Sequence, residues 1–172
     1  LDGNGRVGRL LITFMLCQKG TLRRPLLYIS HYFKKNRSEY YDRLQAIRDR
    51  GDWESWMKFF LRGVAVVANQ ASEAAREIVR IREEERSVIT QRMGRIASDA
   101  LLVHEDLFDR PFSSTKSVQR ITGKEFPAAS RLLRGLEACG ILVETTGRTR
   151  NRIFKHKRYY DLISQGLDDD NQ

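Results

Sequence analysis

Apolar residues recur at intervals of three and four through most of the first 80 positions, a period that builds helices rather than sheets. Val7, Leu10, Leu11, Phe14 and Cys17 form the first stripe, and Gly20 closes it. Arg24-Pro25 opens a new segment. Asn36 and Glu39 have capping-box spacing, so a helix is expected through Tyr40, Leu44 and Ile47 to Gly51. Asp52 then suits the N-cap of a long helix. Its stripe runs Trp53, Trp56, Met57, Phe60, Val64, Val67, Ala71, Ala74, Ile78 and Ile81, and its aromatic part reads as core. Residues 82–92, Arg-Glu-Glu-Glu-Arg-Ser-Val-Ile-Thr-Gln-Arg, read as a solvated helical connector.

The last third changes pattern. Ile96, Ala100, Leu101 and Val103 suggest a helix. Ser113, Ser114 and Thr115 can cap a second, which carries Val118 and Ile121 and ends at Gly123. Pro127 suits the first turn of a third, with Ser130, Leu132, Leu133, Leu136 and Cys139 before Gly140. Ile141–Thr145 and Arg152–Lys155 read as strands around a turn at Gly147, and Tyr159–Ile163 as a short helix. Three helices and a hairpin resemble a winged helix-turn-helix.

Charge is concentrated in that third. The 172-residue chain carries a net +9, and residues 110–160 hold twelve Lys or Arg against three acids. Residues 147–158, on the expected wing, hold six basic residues and no acid. A DNA backbone rewards such clustering through counterion release. Ser130, Arg131 and Arg134 on the third helix, and Arg148, Arg150 and Arg152 on the wing, are the candidate DNA contacts. Winged helices also dock proteins, so a docking wing stands as the alternative. Cys17 and Cys139 have no metal-ligand spacing and read as reduced core residues. No membrane span or signal peptide is visible, and a cytoplasmic protein is expected.

Residues 1–9 read Leu-Asp-Gly-Asn-Gly-Arg-Val-Gly-Arg and lead directly into the first helical stripe. Two glycines free the loop backbone, and the N–H groups of a helix N-terminus make an anion site. Arg6 and Arg9, three apart, can face one anion, and Asp2 offers oxygen to a hard cation. Together they suit a Mg²⁺-bound polyphosphate. Gly3 to Gly8 also fits the dinucleotide pattern G-x-G-x-x-G, but no strand precedes it and residues 21–35 contain no acid. A plain turn before a helix, with no ligand, is the third reading.

Asp2, Gly3, Asn4, Gly5, Arg6 and Arg9 match, one for one, the second half of the Fic-family active-site motif. That motif is His-Pro-Phe, a variable residue, Asp or Glu, Gly-Asn-Gly-Arg, two variable residues and Arg. Leu27, Tyr28 and Ser30, then Tyr40 and Tyr41, then Gly51, Asp52, Trp53 and Trp56 extend the resemblance over roughly residues 1–80. Many Fic proteins also carry a C-terminal winged helix. The resemblance implies a mainly α chain: the C-terminal helices of a Fic-type domain over 1–82, a connector over 83–94, a winged helix-turn-helix with a small β-hairpin wing over 95–165, and a disordered acidic tail over 166–172.

The activity implied is AMP transfer from ATP to a Ser, Thr or Tyr hydroxyl of a target protein. Asp2 would hold Mg²⁺, and Gly3, Asn4, Gly5, Arg6 and Arg9 would hold the phosphates. Tyr41 would border the adenine. The motif histidine, which deprotonates the target hydroxyl, would precede Leu1. No catalytic residue is therefore assigned within the chain, and the chain is expected to be inactive alone. The helix carrying Leu10, Leu11 and Phe14 is expected to seek a partner, either a second copy or an N-terminal half. The alternative function is a winged-helix DNA-binding regulator with the Fic region as scaffold.

Overall fold

A computed structural model describes Val7, Gly8, Leu11, Phe14, Met15, residues 18–20 and residues 29–168, with side chains through Ser164. The architecture is mainly helical with one small antiparallel sheet. The chain forms two compact units, Leu1–Ala75 and Arg76–Gln172.

In the first unit, Val7, Gly8, Leu11, Phe14, Met15 and Gln18 are helical. Helices α1 (Ile29–Lys35) and α2 (Arg37–Arg50) follow, then the first part of α3 (Trp53–Arg92). The core is aromatic. Ile29, Phe33 and Phe59 are buried, with Tyr32, Tyr40, Trp56 and Phe60 against them. Phe33 stacks on Phe59 with ring centres 5.8 Å apart. Gly63 lies beneath Tyr32, and a Cβ there would meet that ring at 2.6 Å, so only glycine fits without repacking.

Helices α2 and α3 each depart from the expected pattern. Helix α2 does open after Asn36, but the capping box does not form. The Asn36 amide donates back to the Tyr32 carbonyl at 2.8 Å, and Glu39 pairs with Arg43 at 3.1 Å. The expected stripe of α3 is buried only in part: Val67 and Ile81 are buried and Trp56, Phe60 and Val64 pack on the aromatic core. Phe59 and Gly63 are buried, whereas Trp53 and Met57 are exposed. A wide apolar surface on a helix leaves the buried direction to be chosen by what packs on it.

Asp52 caps α3 as expected, accepting from the Ser55 amide at 3.1 Å. The Ser55 hydroxyl, then its amide, hold the Asp52 carboxyl below the usual carboxylate range. A carboxyl depressed by folding adds stability above its unfolded pKa and loses it as pH falls through the folded value. The first turn of α3 should therefore fray on acidification below about pH 4. Amide exchange at Ser55, relative to its intrinsic rate, should accelerate there. Protection that does not change with acidification would contradict the cap.

The second unit takes the last part of α3, a 3₁₀ turn (Gly94–Ile96), α4 (Ala97–Asp109), β1 (Phe112–Ser114), α5 (Thr115–Thr122), α6 (Phe126–Ala138), β2 (Leu142–Glu144), β3 (Ile153–His156) and α7 (Lys157–Asp168). Helix–strand–helix–helix–strand–strand is the order of a winged helix-turn-helix, with the β2–β3 loop as its wing. Strand order is β1-β3-β2, all antiparallel, with Ser113 opposite Phe154 and Val143 opposite Lys155. Strand β1 was not anticipated; its Phe-Ser-Ser is too short to show alternation, and its serines resemble cap residues. Ser114 does both jobs. It pairs in β1 and forms a reciprocal capping box with Ser117 for α5. The core is built from Ala100, Val103 and Leu107 of α4, Val118 of α5, four buried residues of α6, Ile141, Leu142 and Phe154.

Residues 82–92 are not a solvated connector. Ile89 is fully buried in the second core, and Glu85, four residues earlier, is buried too. One face of this charged helix is structural, and only the other carries solvated charge. Helix α7 runs to Asp168, into the stretch expected as tail; residues 169–172 lie outside the described residues. Among the described residues, no helix is long and apolar enough to cross a membrane.

Candidate nucleic-acid interface

Helix α6 begins after Glu125, with Pro127 in its first turn, and ends where Gly140 takes φ +76°. Its apolar face, Ala129, Leu132, Leu133 and Leu136, is buried. The opposite face is thereby fixed toward solvent. Ser130 and Arg134, four residues apart, share one side of it.

The wing is tied at its base. Thr145 donates its amide to the Ile153 carbonyl at 3.0 Å. Glu144 accepts from the Thr146 hydroxyl, from the Thr146 amide at 2.8 Å and from the Gly147 amide at 2.9 Å. The Thr146 hydroxyl, then these amides, hold the Glu144 carboxyl below its ordinary range. Gly147 at φ +61° and Asn151 at φ +53° make the left-handed turns the loop requires.

Between α6 and the wing lies an open groove of about 760 Å³. It brings together four of the six expected DNA contacts: Ser130, Arg134, Arg150 and Arg152. Arg131 and Arg148 do not line it. Arg131 is about 100° around the helix from Ser130, a consequence of 3.6 residues per turn. Arg148 is exposed in the wing loop. Lys116 and Gln119 from α5 also line it and were missed, because the serine-rich segment before them reads only as a cap. No carboxylate lines the groove. Among the described residues Lys116, Arg134, Arg148 and Arg150 enter no ion pair, so their charge is uncommitted. Arg152 differs: it lies 3.7 Å from Glu137 and its guanidinium sits 5.0 Å above the Phe154 ring.

A second cluster is buried elsewhere in this unit. Glu85 of α3 accepts from His104 Nε2 of α4 at 2.9 Å and from His156 Nε2 of β3 at 2.7 Å, both on Oε2. The two histidines are fully buried and Glu85 is 3% exposed. Burial opposes ionisation of Glu85, but the bonds from His104 and His156 outweigh it and hold the carboxyl below its ordinary value. These three residues could hold a metal ion. Nineteen and fifty-two residues separate them along the chain, so no local spacing signals the cluster.

The expected phosphate and metal residues Asp2, Gly3, Asn4, Gly5, Arg6 and Arg9 lie outside the described residues, as does Cys17. Tyr41, expected beside the adenine, is 56% exposed on α2, with the Arg37 guanidinium 5.7 Å from its ring centre. Its neighbour Tyr40 packs into the aromatic core instead. Cys139 is a free thiol against the second core. Leu11 and Phe14 are exposed. No family model matches the chain.

Proposed function

We propose that the C-terminal unit binds duplex DNA, with α6 in the major groove and the wing along the backbone. One observation carries this reading: the groove between α6 and the wing is lined by four cationic side chains and no carboxylate. Three of the four have no ion-pair partner among the described residues. A major groove about 12 Å wide admits a helix, and Ser130 and Arg134, the polar α6 side chains that line the groove, would reach base edges. Fluorescence anisotropy with a labelled duplex should show binding at low salt. Its log K should fall linearly with log salt, at about 0.9 per phosphate contacted. Absence of binding at low salt would end the DNA reading and leave the wing as a protein-docking module.

The second part of the proposal is that residues 1–80 belong to a Fic-type AMP-transfer centre. The support is the run Asp2-Gly3-Asn4-Gly5-Arg6 with Arg9 three residues on, in which glycine backbone, two guanidiniums and a carboxylate suit a Mg²⁺-bound nucleoside triphosphate. ATP would supply the AMP group, and a target hydroxyl would accept it. The test is intact-mass analysis of the full-length protein and candidate targets with ATP and Mg²⁺. A gain of one AMP, lost on replacing Arg6 with Ala, is expected. Transfer of a different group, or none, would overturn it.

A further inference from the structure

We propose that Glu85, His104 and His156 form a structural site for a divalent transition-metal ion such as Zn²⁺. The donors come from three different elements, α3, α4 and β3, and converge on one point. Both imidazoles aim Nε2 at the same oxygen, Glu85 Oε2, at 2.9 and 2.7 Å. Their rings stand 5.9 Å apart at 66°, so they converge on the carboxylate rather than stack on each other. Zinc bonds of roughly 2.0–2.1 Å in a tetrahedron separate neighbouring donors by about 3.3 Å. A shift of roughly half an ångström brings each histidine–carboxylate pair to that spacing, and all three donor atoms already lie within 4.8 Å of one another.

The carboxylate itself favours the ion. Glu85 is buried, pairs with no Lys or Arg among the described residues, and leaves Oε1 without a partner. Buried polar atoms are nearly always satisfied, so an orphaned carboxylate oxygen needs an explanation. A metal held at Oε2 and approached by Oε1 in a longer second contact supplies one. Nδ1 of each histidine lacks a partner in the structure. Coordination through Nε2 removes the proton from that nitrogen, and both Nδ1 atoms lack a partner with or without the ion. The difference between the two states thus lies at the carboxylate, where it favours the metal. The set of two imidazoles and one carboxylate matches the donors that Zn²⁺ accepts.

Phe108 lies against both histidine rings, with centroids 5.2 and 5.1 Å away, and Tyr159 lies 5.6 Å from His156. This aromatic cover makes the site structural rather than catalytic. The ion would tie the end of α3 to the strand that carries the wing, so its loss should loosen the proposed DNA face without touching it.

The test is titration of the chelator-treated full chain with zinc sulfate against a chromophoric chelator. About one equivalent per chain should bind, and the thermal midpoint should rise, because binding to the folded state alone stabilises it. The variants Glu85→Gln and His156→Gln should each lose more than about 100-fold in affinity, while His31→Asn should bind as the parent does. If either variant fails to fold, cobalt substitution of the unaltered chain decides. A four-coordinate visible spectrum without thiolate-to-cobalt bands is expected. No binding, binding that survives both variants, or a thiolate signature from Cys17 or Cys139 would overturn the assignment.

Discussion

Replacing Leu136 by Ala is expected to destabilise the C-terminal unit by about 2–5 kcal/mol. Leu136 is fully buried on α6, among Leu132, Leu133, Val103 and Phe154. Truncation removes its transfer energy and leaves a cavity that only partly collapses. Its carbonyl also accepts the Ile141 amide at 3.0 Å, so the residue sits where α6 hands over to β2. A domain stable by only about 5–15 kcal/mol would lose a large share of its margin. Urea unfolding of the parent and variant measures the difference. The control lies two residues away: Arg134→Ala, on the exposed side of the helix, should stay within about 0.5 kcal/mol of the parent. A loss below about 1 kcal/mol for Leu136→Ala would mean that α6 does not pack as described.

The same helix shows why part of this protein was legible from its residues. Pro127 and Gly140 bracket α6 in chemistry that no neighbour can alter, and its buried leucines repeat at helical spacing. The Ser114 cap and the Gly147 turn were legible for the same reason. Where local chemistry permits several outcomes, packing chose. Asn36 has two ways to bond its side chain, and it takes the Tyr32 carbonyl rather than the start of α2. Trp53 and Phe59 are both apolar, yet only Phe59 meets the aromatic core. Strand β1 exists because β3 offers an edge to pair with, a relation between residues some forty positions apart.

The groove was partly legible because its cations cluster in sequence, on the wing and on one turn of α6. Which of them face one another was not, since that depends on the rotation of α6 about its buried leucines. Ser130 and Arg134 share the groove side while Arg131 does not. The Glu85 cluster was wholly hidden. Its members lie on three elements, and Glu85 sits within a run of acids and arginines that reads as a solvated face.

The wing arginines give the other large effect. Converting both Arg148 and Arg150 to Gln should weaken duplex binding by about 30-fold near 0.15 M salt, if each neutralises one phosphate. The figure follows from losing two contacts, each lowering the magnitude of the log–log salt slope by about 0.9. The loss should be the same on unrelated duplexes, because phosphate contacts carry no base information. Folding should be untouched, as neither side chain is in an ion pair among the described residues. Arg152→Gln is expected to behave differently, since Arg152 also braces the wing through Glu137 and the Phe154 ring. It should lower both affinity and thermal stability. Arg134→Gln should instead change which sequences bind, because in the proposed complex α6 would read base edges. Anisotropy titrations at several salt concentrations, on two unrelated duplexes, separate these outcomes. An unchanged salt slope in the double variant would place the wing away from the phosphates and remove the groove's claim to be a DNA-binding face.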